Sequence, residues 1–127
     1  MQPGIIRIEP ISTYLERWKA PTSVVVRHGF TICVSGLPPF GPDSGEFVDS
    51  PIERQTELVL KLCVETAGSS LAKVLKCNVS CTSVEKFAEV NEIYHRYFGD
   101  RPPAHVFCCR ACMVGAFHIE VECIAAV

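Results

Sequence analysis

The segment RPPAHVFCCRAC, at residues 101–112, holds a histidine, an arginine and three of the chain's eight cysteines. These residue types could bind a metal ion, or provide a thiol nucleophile with an imidazole base. A structural zinc site needs two Cys-x-x-Cys pairs, or one such pair together with two distant histidines. The chain has only one pair, Cys109 with Cys112, and on an extended strand these side chains point to opposite faces. We therefore predict no metal site.

A Cys–His catalytic pair is also disfavoured in this segment. His105 shares a strand face with Cys109, but about 13 Å of strand separates two residues that must approach to roughly 3 Å. The folded chain could bring Cys33, Cys123 or His118 nearer, and spacing alone does not decide this. Cysteines serve more often as small buried hydrophobic side chains. We predict that packing role for them, and no cofactor.

The last strand, HIEVECIA from residue 118, carries alternating carboxylates. Glu120 and Glu122 point with His118 to one face, whereas the residues between them are apolar and point to the other. The charged face is either a solvated edge or one wall of a cleft. In a cleft, a carboxylate could hold a water molecule or accept a proton. Both interpretations fit the pattern.

Composition limits the classes of protein to which the chain can belong. Its length suits one domain, residues 1–127, with residues 1–20 as a variable extension plus an edge strand. A net charge of -2 argues against nucleic acid or an anionic membrane as a partner. Apolar residues make up 48% of the chain, which favours a small oligomer. The sequence shows neither a membrane-spanning run nor a signal-peptide pattern, so we predict a cytoplasmic protein with reduced thiols.

Periodicity predicts an α+β domain in which an N-terminal edge strand is followed by the order ββαβαββ, with two helices on one face of a mixed sheet. The first helix runs from an N-cap at Ser50 to Gly68, and the second follows a capping box at Thr82 and Glu85 and ends at Gly99. The predicted strands cover residues 4–8, 24–26, 30–35, 74–81, 105–112 and 117–127. The half-buried face of strand 74–81 is predicted to comprise Leu75, Cys77, Val79 and Cys81.

Five short motifs are spread along the chain from residue 26 to residue 125. They are VRHGFTICVSG at 26–36, IERQT at 52–56, FAEVNEIY at 87–94, RPPA at 101–104 and IEVECIA at 119–125. Together and in this order they resemble the reactive-intermediate deaminase family, also called RidA, YjgF or endoribonuclease L-PSP-like. The resemblance implies a chorismate-mutase-like subunit in a homotrimeric barrel, with a small-molecule cleft at each subunit interface. It also implies hydrolysis of enamines and imines to ketoacids and ammonia.

The resemblance further implies roles for individual residues. Glu120 stands where the family has a glutamate that orients the attacking water. Ser35 occupies a pocket position, and Asn91 lies on the helix that faces this pocket. Thr22 stands where the family often has tyrosine, and Leu37 where it often has glutamine. The resemblance therefore makes Ser35, Asn91, Thr22 and Leu37 candidate substrate-binding residues.

Position 105 departs from the family pattern. Deaminating members have PARS or PART before the penultimate strand, with an arginine that binds the substrate carboxylate, whereas this chain has PAHV. The imidazole of His105 is mostly neutral at pH 7 and offers one donor, so it would bind a carboxylate about 2–4 kcal/mol less strongly than a bidentate guanidinium. Arg110 lies an odd number of positions along the strand and is expected to point away from His105. Phe107, which shares the face of His105, is a further candidate substrate-binding residue.

Three functions remain open. The first is a deaminase acting on an enamine or imine other than a simple 2-imino acid, with Glu120 positioning water and His105 serving as an anchor or proton shuttle. The second is a non-catalytic homotrimer that binds a small metabolite, or that acts as a regulatory or chaperone-like partner. The third, the ribonuclease activity ascribed to some relatives, is disfavoured because the chain lacks the clustered Lys and Arg residues that bind RNA.

Overall fold

The computed structural model describes residues 2–38, 54, 60–113 and 119–127. Its strands are β1 (Gly4–Ile6), β2 (Val25–His28), β3 (Thr31–Leu37), β4 (Val74–Cys81), β5 (Ala104–Cys109) and β6 (Ile119–Ala126). Its α-helices are α1 (Ile11–Arg17), α2 (Leu62–Thr66) and α3 (Phe87–Phe98), and 3-10 turns occur at Leu71–Lys73 and Val84–Lys86. The predicted N-cap Ser50 and the strand residue His118 lie outside the described residues.

The six described strands form one sheet in the order β1-β2-β3-β6-β4-β5. Among them, β4 and β5 run parallel, and every other neighbouring pair is antiparallel. Parallel neighbours need a crossover connection, and α3 provides it. Buried residues of α2 and α3 join those of the sheet in one hydrophobic core. The predicted α+β domain with a mixed sheet is therefore confirmed.

β6 lies inside the sheet and alternates between its two faces, as predicted. Ile119, Val121, Cys123 and Ala125 are buried against the helices, whereas the residues between them are more exposed. Cross-strand partners share a face, so the alternation extends to the neighbouring strands. We call the side turned away from the helices the open face. It carries Cys33, Asn78, Ser80, Glu120, Glu122 and Ile124.

A bulge in β4 corrects one predicted core position. Val74 pairs with Ala125 and Lys76 pairs with Ile124, so Leu75 is an extra residue without a partner on β6. The extra residue shifts the alternation at this point, because a bulge leaves one residue outside the ladder. Leu75 is consequently 54% exposed, and Val74 takes the buried position in its place.

The N-terminal residues contain a helix that the sequence pattern did not predict. Ile11, Tyr14 and Leu15 are buried at helical spacing along one side of α1. With seven residues, α1 is shorter than the window over which helical periodicity is recognised. The predicted strand at residues 4–8 ends at Ile6, and Ile8 turns into the core, where its backbone N–H donates to the Ser12 hydroxyl at 2.9 Å.

The helix ends agree with the predicted glycines but not with the predicted cap. Gly68 and Gly99 follow α2 and α3 with φ angles of 85° and 61°, in the left-handed region that glycine adopts without strain. Ahead of α3, the 3-10 turn Val84–Lys86 has Ser83 as its N-cap, one residue after the predicted Thr82. The Ser83 hydroxyl accepts a hydrogen bond from the backbone N–H of Glu85 at 3.3 Å.

Two leucine-to-alanine substitutions test the register of the sheet. Leu37 is 1% exposed, so Leu37→Ala leaves a cavity and should lower the free energy of unfolding by about 2–5 kcal/mol. Leu75→Ala is the matched control and should cost less than about 1 kcal/mol, because the bulge leaves this side chain exposed. Urea denaturation at one protein concentration measures both. Equal losses would contradict the bulge.

Candidate functional site

Glu120 lies in the middle of the open face, between β3 and β4. Its cross-strand neighbour on β4 is Ser80. On the other side its carboxylate lies against Gly36, where an added Cβ would come within 2.5 Å of Glu120 Oε1. The β3–β6 register shifts between Val34 and Leu37, which marks a bulge at this point of β3. The missing side chain at Gly36 therefore makes the room that the carboxylate occupies.

The surroundings of Glu120 set its protonation. Partial burial raises the pKa of the Glu120 carboxyl above its usual value of 4.5. The charge of Arg110 opposes this rise, and the like charge of Glu122 adds to it. A carboxylate with a raised pKa is a better proton acceptor than an exposed one, and it suits a group that activates water.

Arg110 is a residue of the open face that the sequence pattern set aside. β5 ends at Cys109 instead of continuing to residue 112, and the Arg110 backbone N–H donates to the Cys81 carbonyl at 2.8 Å. Its side-chain Nε donates to Ser80 Oγ at 3.0 Å. Since Ser80 faces Glu120, Arg110 lies on the side of the sheet where Glu120 lies, and it points away from His105 as predicted.

Ser35 and Thr22 come together at the edge of this region. The Ser35 hydroxyl donates to the Ser23 carbonyl at 2.5 Å, and its oxygen lies 3.2 Å from Thr22 Oγ1. Ser35 directly precedes Gly36, the residue against which the Glu120 carboxylate lies. The structure thus brings Ser35 and Thr22 into contact, with Ser35 on the strand next to that of Glu120.

His105 belongs to the opposite side of the sheet. It pairs in register with the buried Cys77, and its ring lies 5.1 Å from that of Tyr94 on α3. A shallow cavity of about 210 Å³ is lined by His105, Asn91, Tyr94 and the turn at Gly99. Partial burial lowers the pKa of His105 below its usual value of 6.5, so the imidazole is neutral at pH 7.

Two other predicted residues lie apart from the Glu120 region. Phe107, two positions beyond His105, packs edge-on against Phe87 of α3 at a ring-centroid distance of 5.1 Å. Leu37 is part of the hydrophobic core and is 1% exposed, so this subunit gives it no surface with which to contact a ligand. Leu37 was a candidate substrate-binding residue because it stands where the family often has glutamine.

Within one chain, Glu120 and His105 cannot contact the same small molecule. They lie on β6 and β5, two strand spacings apart, and their partners on β4 are Ser80 and Cys77. At about 4.8 Å per strand and 3.3 Å per residue, their backbones are roughly 14 Å apart. Their side chains also point to opposite faces. The alternating pattern could not reveal this separation, because it depends on how the strands pair.

The cysteines divide equally between core and surface. Cys63, Cys77, Cys81 and Cys123 are buried, whereas Cys33, Cys108, Cys109 and Cys112 are exposed. The predicted packing role therefore fails for Cys33 and for the three cysteines of the 101–112 segment. Cys108 and Cys109 lie on the edge strand β5, and Cys112 lies beyond its end. Burial raises the pKa values of Cys63 and Cys77 to about 12, so neither is a thiolate at neutral pH.

The described part of the chain supplies no obvious metal or membrane site. It contains no group of three or more His, Cys, Asp or Glu side chains placed to hold a metal ion. None of the helices within it is long and apolar enough to cross a membrane.

Comparison with known proteins relates this arrangement to one family. The sequence profile of the endoribonuclease L-PSP family matches residues 17–127. A RutC family protein of Pyrococcus abyssi is 39% identical over 89 residues, which cover 68% of this chain and 70% of that protein. The chloroplastic Reactive Intermediate Deaminase A of Arabidopsis thaliana is 33% identical over 108 residues, covering 83% of this chain and 58% of that protein.

A solved structure agrees with the sequence comparisons. The crystal structure of RidA from the Antarctic bacterium Psychrobacter superposes with a TM-score of 0.78 at 30% identity, covering 85% of this chain and 89% of that chain. Sequence and fold therefore agree over most of the length, and the chain belongs to the endoribonuclease L-PSP family, which includes RidA and RutC proteins.

Proposed function

We propose that this protein is a hydrolase that deaminates a reactive enamine or imine. The observation that carries the proposal is the partly buried carboxylate of Glu120, which lies against Gly36 with its pKa raised by burial. The name of the Arabidopsis relative, Reactive Intermediate Deaminase A, supports the same reaction class. The thiol-rich composition suits a reducing compartment, and we propose a cytoplasmic location.

The chemistry needs one water molecule and one proton acceptor. Glu120 would accept a proton from water as the oxygen attacks the carbon of the N-protonated imine, giving a neutral amino alcohol. The proton on Glu120 then passes to the amino nitrogen, and the C–N bond breaks as the hydroxyl proton returns to Glu120, which releases ammonia and leaves a carbonyl. Glu120 finally gives this proton to solvent. An enamine substrate first takes a proton on carbon, which gives the same protonated imine. The overall change is imine plus water to carbonyl plus ammonia.

The imidazole of His105 restricts the substrates that could bind on its side of the sheet. As a neutral imidazole it offers a single donor, so it does not replace a bidentate cation. We therefore expect the substrate to be something other than a simple 2-imino acid held at this position. His105 would serve as a single-donor anchor or proton shuttle, with Asn91 beside it in the same cavity.

A homotrimer would bring Glu120 of one subunit close to His105 of another. Their side chains diverge within one chain, so a shared cleft requires the open face of one subunit to meet the His105 side of another. Large apolar side chains are exposed on the described residues, as expected for a chain with an apolar interface. They include Ile5, Phe30, Leu75, Val106 and Ile124.

A non-catalytic small-metabolite-binding or regulatory trimer is the second candidate. The observation that favours it is the neutral histidine at position 105, which lowers the expected affinity for a charged reactive substrate. Catalysis and binding are separated by the first test below, because a merely binding protein releases no ammonia.

Glu120→Gln keeps the shape of the side chain and removes the proton acceptor. We expect ammonia release from freshly generated imines and enamines to fall about 100-fold or more at pH 8. Glu122→Gln is the matched control, because it changes the next carboxylate on the same strand face, and it should retain activity within about threefold. Turnover by the native chain that does not exceed the solvent rate would favour the non-catalytic function.

The pH profile tests whether Glu120 acts as a carboxylate. Because burial raises its pKa, kcat/KM should fall on acidification at a pH above the usual value of 4.5. Below that point the carboxyl is protonated and cannot accept a proton. Glu122→Gln removes a like charge that raises the pKa of Glu120, so the acid limb should shift to lower pH. An unshifted limb would assign it to another group.

Sedimentation tests the shared cleft. We expect a species of three times the 14.0 kDa chain mass at micromolar concentration, and we expect activity to decline in step with the trimer on dilution. A monomer that retained full activity would contradict the proposed intersubunit cleft.

A further inference from the structure

We propose that Arg110, on the face of the sheet that carries Glu120, binds the anionic group of the substrate. The proposal rests on the hydrolase function above, because it takes Glu120 as the residue that handles water. It names Arg110 as a substrate-binding residue on the face where the chemistry would occur, in place of a cation at position 105.

Arg110 and Glu120 lie at the two ends of a short polar row that crosses the open face. The Glu120 carboxylate leans towards β3, since a Cβ at Gly36 would lie 2.5 Å from its Oε1. The Arg110 guanidinium lies over β4, with its Nε 3.0 Å from Ser80 Oγ. Ser80 is also the cross-strand partner of Glu120. The guanidinium therefore lies beside the pair of strands from which the carboxylate projects.

This placement would orient an acid towards Glu120. A carboxylate bound at the terminal nitrogens of Arg110 would lie on the face from which Glu120 projects, so that the reacting carbon of the same molecule could approach a water held by Glu120.

Ser80 positions the guanidinium through the Nε donor alone. A guanidinium has five N–H donors in a rigid plane, and Arg110 uses its Nε donor on Ser80. Its terminal nitrogens have no hydrogen-bond or ion-pair partner among the residues that the structure describes. These nitrogens form the part of the fork that binds carboxylates in a bidentate manner. Fixing the plane beforehand reduces the entropy lost when an acid binds.

The charges of the row are complementary to an anionic substrate. The positive charge of Arg110 opposes the rise in the pKa of Glu120, so the two charged groups interact across the open face. The other nearby carboxylate, Glu122, is occupied by Asn78, whose Nδ2 donates to Glu122 Oε1 at 2.7 Å. The other cation of this face among the described residues, Lys76, lies opposite Ile124 and four positions from Ser80 along β4. Arg110 is therefore the cation that lies nearer to Glu120.

Calorimetric binding of stable acids tests this role without requiring turnover. The probes are 2-oxobutanoate and 4-oxopentanoate, whose carboxylates lie at different distances from the carbonyl, with neutral 2-butanone as a reference. The variants are Arg110→Gln and Arg110→Lys, and the matched control is Arg27→Gln. The Arg27 Nε likewise donates to a single oxygen, the Gly29 carbonyl at 3.0 Å, but Arg27 lies on β2, away from Glu120.

We expect at least one acid to bind the native protein, and Arg110→Gln to weaken that binding about 10-fold or more. Arg110→Lys keeps the charge but loses the planar fork, so its loss should be intermediate, and Arg27→Gln should bind as the native protein does. The backbone bond from Arg110 to Cys81 survives each substitution, and an unchanged thermal midpoint checks the fold. Added salt should weaken native binding, because the site is solvent-exposed.

Failure of this proposal is distinguishable from failure of the proposed function. If neither acid binds, if Arg110→Gln binds acids as the native protein does, or if Arg27→Gln weakens binding equally, Arg110 is not the anion-binding residue. Glu120→Gln should abolish turnover without weakening acid binding. If Glu120→Gln leaves turnover unchanged while Arg110→Gln still weakens binding, the hydrolase assignment fails and the anion site stands.

Discussion

The pairing of β6 with two neighbours is the constraint on which the rest of the structure depends. Its antiparallel ladders to β3 and β4 fix which residues of three strands share a face. The buried half of β6 joins the hydrophobic core against α2 and α3. A shift of one residue would bury Glu120 and Glu122 and expose the apolar set. The energy of the core therefore holds the carboxylate on the open face.

The same alternation explains why the site is divided. β4 and β5 run parallel with Cys77 beside His105, so His105 shares the face of a buried cysteine. Glu120 lies beside Ser80, on the other face. No side-chain rotation brings the two together within one subunit, because the sheet itself lies between them. A shared function of these residues consequently makes assembly part of the active site.

Much of the fold and part of the site could be predicted from the sequence. Period-two alternation identified the inward and outward residues of β6, and the glycines at positions 68 and 99 marked helix ends, because both signals are local. The exposure of Leu75 was not predictable, since the bulge in β4 arises from register with β6. The short helix α1 falls below the length at which helical periodicity is distinctive.

Arg110 shows why site residues are harder to predict than strands. In the sequence it belongs to a continuous strand pattern, and its odd spacing from His105 counted against it. In the structure β5 ends at Cys109, three residues before its predicted end, and the backbone N–H of Arg110 donates to Cys81 at the end of β4. That end point depends on the length of the partner strand, which is information from elsewhere in the chain.

The charge that position 105 lacks is therefore present in the same segment, five residues later and on the other side of the sheet. A cation at position 105 would act from the helix side and would depend on a neighbouring subunit to reach Glu120. Arg110 lies on the face of Glu120 itself and is oriented by Ser80 within the same chain. Under the proposal above, carboxylate binding would be a property of the single subunit, and the subunit interface would close the cleft and add His105.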